Sequence, residues 1–301
     1  MEMRRRFVFR GNAAAIGGRI LWPKDLIIES GVASSLTVVG GRSRAQAAES
    51  RFGDFVSFAS ASTNAEGVFD NPKQLTEVTR QRAAEDSLTT STRVGADVFG
   101  LSVGDKPKLT VKRVRGVLTA KSPGVSGEPP IGVHSDTVIE GAAIDRYGLI
   151  VTLGIALFQR YDTLSKLLTA ADDPQFVRKS GGHLFMKSAV PGKSTAAGKS
   201  AVRGKSAVRG TFAPAASQPV YSNGTTYATI VRSIKWAADP YPGAKIEQNV
   251  VTVPDFGKIF FGELLITDLS RRLTMLRLEL GSPDGGVIAC AEVENNGSWS
   301  T

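Results

Sequence analysis

The stretch Val251–Glu294, VTVPDFGKIFFGELLITDLSRRLTMLRLELGSPDGGVIACAEVE, contains the densest β-strand pattern of the chain. Leucines alternate with charged residues from Leu276 to Leu280, which is the period of a strand with one buried and one exposed face. The segment 284–286, Asp-Gly-Gly, tolerates the positive φ of tight turns. Val287, Ala289, Ala291 and Val293 follow with the same spacing of two and alternate with Glu292 and Glu294. Together these features predict an antiparallel hairpin.

Similar short apolar runs, rich in Val, Ile, Phe and Thr, recur along the rest of the chain at spacings typical of strands. Over 88–98 the alternation has period two, and its phase changes at Gly100, which indicates a β-bulge. Tyr147–Phe158 is also predicted to be strand. The strand–helix alternation of parallel α/β folds is absent. The sequence therefore predicts a mostly β fold, an antiparallel sandwich or packed sheets of many short strands.

One short helix is predicted near 163–172. Leu164 and Leu167 begin an apolar pattern with the i, i+3, i+4, i+7 spacing of one helix face. Asp162 or Thr163, just before it, can cap the amino terminus.

Residues 189–219 differ in composition from the regions on either side. The tripeptide Gly-Lys-Ser recurs three times, and the hexapeptide GKSAVR occurs twice in succession. Such a segment has too little apolar surface to offset the entropy lost on ordering, so we expect a flexible or extended low-complexity loop or linker. It separates a β-rich region at 1–188 from another at 220–301, which ends in the hairpin and can form one compact unit with the first.

The totals describe an ordinary globular protein. Of 301 residues, 42% are hydrophobic and 22% are charged, which is too apolar for a disordered chain. No apolar run approaches the roughly 20 residues of a membrane-spanning helix. The single cysteine, Cys290, excludes an internal disulfide and a cysteine-based zinc site, and its apolar surroundings predict an inert thiol. We expect a cytoplasmic protein; export through the arginine-rich 4–6 segment is the alternative, although Arg10 and Arg19 interrupt the apolar stretch of such a signal.

Several short motifs resemble catalytic signatures without their required spacing or context. The Gly-Lys-Ser repeats lack the GxxxxGK[ST] spacing of a phosphate loop. Asp255–Gly257 spells the metal-binding tripeptide of protein kinases, but the other kinase motifs are absent. His134–Asp136 places a base, a hydroxyl and a carboxylate in succession, yet neighbours on a strand point to opposite faces. No catalytic residue, metal site or cofactor is therefore predicted.

The strongest indication of binding is a run of basic residues. Residues 106–121, KPKLTVKRVRGVLTAK, carry six basic side chains and no acidic one, and their Val and Thr content predicts a strand. With the net charge of +9, this favours contact with a polyanion such as nucleic acid. The candidate residues are Lys106, Lys108, Lys112, Arg113 and Arg115 in this strand, with Lys193, Lys199, Arg203, Lys205 and Arg209 in the repeat segment.

Because no catalytic constellation emerges and strands are plentiful, the sequence favours a non-enzymatic binding or self-assembling structural protein, such as a scaffold, shell or sheath subunit. Its expected partner is a second copy of itself or another protein. The first alternative is a polyanion-binding protein that uses the basic strand and the basic loop. The second is a β-fold hydrolase acting on glycans through paired carboxylates, such as Glu263 with Asp268 or Glu140 with Asp145.

Overall fold

The computed structural model describes residues 7–21, 25–29, 32–70, 89–123, 128–171, 185–186, 226–267, 270–281 and 285–299. These residues form twenty strands and two short helices. In chain order the strands are β1 (Phe7–Ile20), β2 (Leu26–Ile28), β3 (Ala33–Ser35), β4 (Gly41–Ala47), β5 (Ser50–Phe52), β6 (Val56–Phe58), β7 (Ser60–Phe69), β8 (Thr89–Val103), β9 (Leu109–Pro123), β10 (Val138–Glu140), β11 (Ala142–Ile144), β12 (Tyr147–Leu153), β13 (Phe185–Met186), β14 (Thr226–Thr229), β15 (Val231–Trp236), β16 (Lys245–Glu247), β17 (Val250–Val253), β18 (Gly257–Ile266), β19 (Arg271–Leu280) and β20 (Gly286–Trp299). The helices, between β12 and β13, are α1 (Ile155–Arg160) and α2 (Leu164–Ala171).

The strands form two antiparallel sheets that pack face to face. The first sheet has the order β13-β14-β18-β19-β20-β1-β2, with β3 beside β1, β17 beside β18 and β16 beside β17. The second has the order β15-β12-β11-β9-β8-β6-β5, with β10 beside β9, β7 beside β8 and β4 beside β7. The predicted mostly β fold of packed antiparallel sheets is therefore confirmed.

The predicted hairpin is confirmed as β19 and β20, which pair in register from Leu280 opposite Gly286 to Arg271 opposite Asn295. The alternating leucines of β19 point into the core, and Leu278 is fully buried. On its other side, β20 pairs with β1 along almost its whole length. The hairpin thus lies at the centre of the first sheet.

Some strands continue through a point at which their apolar pattern changes phase. β8, which runs from Thr89 to Val103, is an example. In β8, Val98 is buried before Gly100 and Leu101 is buried after it, so the predicted phase change is confirmed. The predicted β-bulge is wrong. Pairing with β9 keeps one register across the bend, with Val98 opposite Val114 and Leu101 opposite Val111, so neither strand carries an extra residue.

The prediction of strand over Tyr147–Phe158 is wrong in its second half. β12 ends at Leu153, and α1 follows, with the Leu157 N–H donating to the Gly154 carbonyl at 3.0 Å. Phe158 on α1 is buried. A short apolar run does not distinguish a buried strand from a buried helical turn, which explains the error.

The predicted helix near 163–172 is confirmed as α2. The Lys166 N–H donates to the Thr163 hydroxyl at 3.3 Å, so Thr163 caps the helix as expected. Leu167 is fully buried on its inner face. No helix within the described ranges is long and apolar enough to cross a membrane. The predicted loop at 189–219 lies outside the described residues.

One hydrophobic core fills the space between the sheets. The sheets approach closely at Gly116 of β9. A Cβ at this position would lie 2.9 Å from Met275 Cγ of β19, and glycine, which has no Cβ, avoids this clash. The sheets also share a continuous piece of chain at Ile230, between β14 and β15. The Ile230 N–H donates to the Gly262 carbonyl in the first sheet at 2.9 Å, and its carbonyl accepts from the Gly154 N–H, after β12, at 2.7 Å.

Candidate interaction surface

Part of the predicted basic strand lies on the outer face of the second sheet, among acidic side chains. Lys106 and Lys108 precede β9, which begins at Leu109, so the predicted strand starts three residues later than expected. The outer face of β8 and β9, with the turn beside them, presents a cluster that we call the charged face. Its members are Arg93, Asp97, Arg113, Arg115, His134 and Asp136.

Arg113 is bound by Asp97 rather than open to a ligand. It donates to the Asp97 carboxylate through Nε at 3.0 Å and through Nη2 at 2.8 Å. Its guanidinium also lies 4.8 Å from the centre of the Phe99 ring, a distance typical of a cation–π contact. The hydrogen bonds to Asp97 raise the pKa of Arg113 despite its partial burial. Bidentate geometry and partial burial make this one of the stronger ion pairs of the surface.

Arg115 lies between two carboxylates, 3.6 Å from Asp97 and 3.7 Å from Asp136. Asp136 also accepts a hydrogen bond from Arg93 at 2.9 Å. Partial burial raises the pKa of the Asp136 carboxyl, but His134, Arg93 and Arg115 together lower it below its usual value. The arginines of the charged face therefore already have anionic partners within the protein.

His134 does not form a catalytic pair. Its Nε2 lies 3.2 Å from Arg93 Nη1, and its Nδ1 accepts from the Asp136 backbone N–H at 3.1 Å. No hydroxyl of a described residue bonds to the ring, so the structure shows no nucleophile–base pair here. Within the described ranges, no group of three or more His, Cys, Asp or Glu side chains is arranged to hold a metal ion.

Three of the remaining candidate residues for polyanion binding are among the described residues. Lys106, Lys108 and Lys112 are exposed, and the Lys108 backbone N–H donates to the Asp145 carboxylate at 2.9 Å. The candidates in the repeat segment, Lys193, Lys199, Arg203, Lys205 and Arg209, lie outside the described residues. In the part of the chain that is described, the predicted basic strand presents four exposed lysines, and the fourth, Lys121, lies 3.1 Å from Asp70.

A shallow depression of about 240 Å³ lies beside the charged face. Val68 on β7 and Ser91 on β8 line it, with Lys121 on β9 at its rim. Asp70, just after β7, accepts from the Ser91 hydroxyl and lies 3.1 Å from Lys121 Nζ. The hydrogen bond from Ser91 lowers the pKa of the Asp70 carboxyl, partial burial opposes this, and Lys121 lowers it further.

The outer face of the first sheet carries a comparable arginine. Arg277 on β19 donates to Glu263 through Nε at 2.6 Å and Nη2 at 2.9 Å, and it also contacts Glu279. Its guanidinium lies 3.7 Å from the centre of the Phe260 ring. The hydrogen bond to Glu263 raises the pKa of Arg277. Glu263, one of the carboxylates considered for glycan cleavage, is therefore held in an ion pair, while Asp268 lies outside the described residues.

Cys290 lies at the centre of the first sheet and is fully buried. Burial raises the pKa of its thiol to about 12. A thiol with this pKa is protonated near neutral pH and is a poor nucleophile.

β4 is an edge strand of the second sheet, and we call it the open edge. It pairs with β7 along all seven of its residues and with no other strand in the described ranges. Its three inward-pointing side chains remain half-buried, whereas the residues opposite them on β7 are buried. The half-buried residues are Ser43, Ala45 and Ala47; those opposite are Ala65, Thr63 and Ala61.

Exposed side chains surround the open edge. Arg42, Arg44 and Gln46 point outward, and Arg42 is paired with Glu66 of β7 at 2.7 Å. Just before β4, Val38 and Val39 form the tip of a turn and are 62% and 78% exposed. Sequence reasoning did not single out this segment. Residues 42–47, RSRAQA, could have indicated an edge strand. Long polar residues alternate there with small ones, and the β-branched side chains typical of an interior strand are missing.

Residues 7–267 match the family described as Domain of unknown function (DUF8256). The matched region covers most of the chain, including the charged face and the open edge; β19 and β20 lie beyond it. No curated protein and no solved structure matches the sequence. The chain thus belongs to the DUF8256 family.

Proposed function

We propose that this protein is a non-enzymatic structural subunit that assembles with further copies of itself through the open edge. The observation that carries the proposal is β4 itself, whose backbone has no described partner on one side and whose core-facing alanines remain half-buried. An added strand would satisfy the open backbone groups and would cover these alanines.

β4 fits this role better than the other edges. It is seven residues long, whereas β2, β5, β13 and β16 have three residues or fewer. β15 has six residues and also pairs on one side alone among the described strands. However, its inward residues Val231 and Ile234 are already buried, so that of its core-packed apolar side chains the half-buried Trp236 is the one a partner would cover further.

The side chains of β4 are compatible with a second copy in an antiparallel register centred on Ala45. In that register Arg44 lies opposite Gln46 of the second copy, and Ser43 lies opposite Ala47. No arginine then faces an arginine, and small residues meet on the inner face, which permits close packing of the two strands.

Polyanion binding and glycan hydrolysis have weaker support. Arg113 and Arg115 are engaged by acidic side chains, and Glu263 is engaged by Arg277. A ligand would have to break these contacts before it could use the same groups.

The test is the mass of the particle in solution, measured by light scattering, for the full chain and for Arg44→Pro and Ala45→Pro made separately. Proline has no backbone N–H, and the N–H groups of neighbouring residues in an antiparallel strand point to opposite edges. One of the two substitutions therefore removes a hydrogen bond to β7, and the other removes an N–H on the open side. The full chain should have the mass of a dimer, because a two-fold register centred on Ala45 closes with two copies. The proline variant that retains the native unfolding midpoint should have the mass of a single chain.

The matched control is Arg42→Gln, which removes the pair with Glu66 and leaves the backbone of β4 intact, so that assembly should persist. A single-chain mass for the unmodified protein at high concentration would exclude self-assembly. Unchanged assembly in the stable proline variant would exclude β4 as its interface.

A further inference from the structure

A small polar cavity lies between the two sheets, in an otherwise apolar interface. It is about 10 Å³ in volume and is situated where β1, β8, β9, β19 and β20 begin or end. Its polar lining includes Thr90, Thr92, Ser122, Arg271 and Asn295.

Two buried polar groups at this cavity have no hydrogen-bond partner among the described residues. Thr92 donates to the Asn295 side-chain oxygen at 2.7 Å, but Asn295 Nδ2 and the Thr90 hydroxyl make no hydrogen bond to a described residue. Thr90 and Asn295 are 1% and 4% exposed. Reversing the amide of Asn295 would not remove the problem, because its oxygen would then replace the nitrogen as the group without a partner.

Burying such groups without partners costs free energy, and buried polar groups in proteins are nearly always satisfied by protein or by ordered water. A cavity needs at least about 10–15 Å³ to hold one water molecule, and this cavity is at that limit. We propose that one buried water occupies it and bridges the Thr90 hydroxyl to the Asn295 side chain.

Water fits the chemistry of the lining better than an ion does. Arg271 donates to the Thr267 carbonyl at 2.7 Å and to the Pro129 carbonyl at 3.0 Å, and its positive charge beside the cavity disfavours a cation. A halide is larger than a water molecule, and the cavity is already at the lower limit for one water. Water can both donate and accept, so it satisfies the hydroxyl and either orientation of the Asn295 amide.

The water completes a polar connection between the sheets. Thr90 and Thr92 belong to the second sheet, whereas Asn295 and Arg271 belong to the first. The direct hydrogen bond from Thr92 to Asn295 and that from Arg271 to Pro129 already join the two layers. The bridging water adds a link from Thr90.

The sign of the stability change in Thr90→Val tests the proposal, because valine has the shape of threonine without its hydroxyl. If water bridges Thr90, the variant loses a satisfied hydrogen bond, and its Tm should fall by roughly 2–4 °C. If the cavity is dry, the variant loses an unsatisfied hydroxyl and its Tm should rise. Thr92→Val is the reference variant. It removes the hydrogen bond from Thr92 to Asn295, so its fall in Tm gives the size expected for the loss of one satisfied hydrogen bond at this cavity.

A high-resolution crystal structure of the unmodified protein provides an independent measurement. Density for one water within hydrogen-bonding distance of Thr90 and Asn295, absent in Thr90→Val, would support the proposal. An empty cavity, or an anomalous peak there after a bromide soak, would overturn it, as would a rise in the Tm of Thr90→Val.

Discussion

Asp70 illustrates how one side chain on the surface of the second sheet links stability to pH. Its carboxylate accepts from Ser91 and pairs with Lys121, joining the end of β7 to β8 and β9. These contacts favour the ionised carboxylate, so the pKa of Asp70 in the folded protein lies below the ordinary value of 3.8. A lowered pKa means that the folded state gains stability from ionisation.

We expect this contribution to be complete above the ordinary pKa and to disappear as the pH falls through the lower native pKa. Asp70→Asn should therefore reduce the free energy of unfolding by roughly 1 kcal/mol near neutral pH, and the difference from the unmodified protein should shrink as the pH falls below 3.8. Urea unfolding from about pH 7 to about pH 2 measures this directly. A difference that stays constant with pH would show that the ionised carboxylate is not responsible.

At the scale of the element, the bend that crosses the first sheet depends on residues with positive φ. Gly262 on β18 has φ of 60° and Ala291 on β20 has φ of 51°. On β18 the buried side chains are Phe261 before the bend and Leu264 after it. The bend thus lets one long strand keep a single face in the core although its apolar pattern changes phase.

Gly262→Ala should reduce the free energy of unfolding by about 2 kcal/mol. The left-handed conformation costs a residue with a Cβ about 1–2 kcal/mol, and the new Cβ would lie 2.7 Å from Ile230 Cγ1. Gly17→Ala on β1 is the control, because its Cβ would lie 3.9 Å from its nearest neighbour and its φ is not positive. Equal stability of the two variants, measured by urea unfolding, would contradict this account of the bend.

The same elements show what the sequence could and could not predict. Strand identity and the hairpin were predictable from the alternation around Leu278, because each pattern needs only neighbouring residues. The phase change at Gly100 was also visible, but its structural meaning depends on the register with β9. The partners of Arg113 and the openness of β4 were not predictable. Both depend on which strands are adjacent in the sheet, and local pattern does not contain that information.

At the scale of the whole molecule, the two sheets share one core and one continuous piece of chain at Ile230. We therefore expect them to unfold together. In native-state hydrogen exchange, the slowest amides of β9 and β19 should exchange with the same free energy and the same urea dependence, while amides of the open edge should exchange faster. Separate free energies for β9 and β19 would show that the sheets unfold independently.

The pairing of β1 with β20 has a consequence for the order in which the protein is made. Phe7 lies opposite Trp299, so β1 takes its main partner from a strand that is synthesised much later. Contacts between residues so distant in sequence close slowly, because the intervening chain loses entropy before the contact forms. Before β20 is synthesised, the sheet partners available to β1 among the described strands are the short strands β2 and β3. The first sheet is therefore completed after synthesis of β20, and until then the backbone edge of β1 that β20 will occupy is open to pairing with other strands.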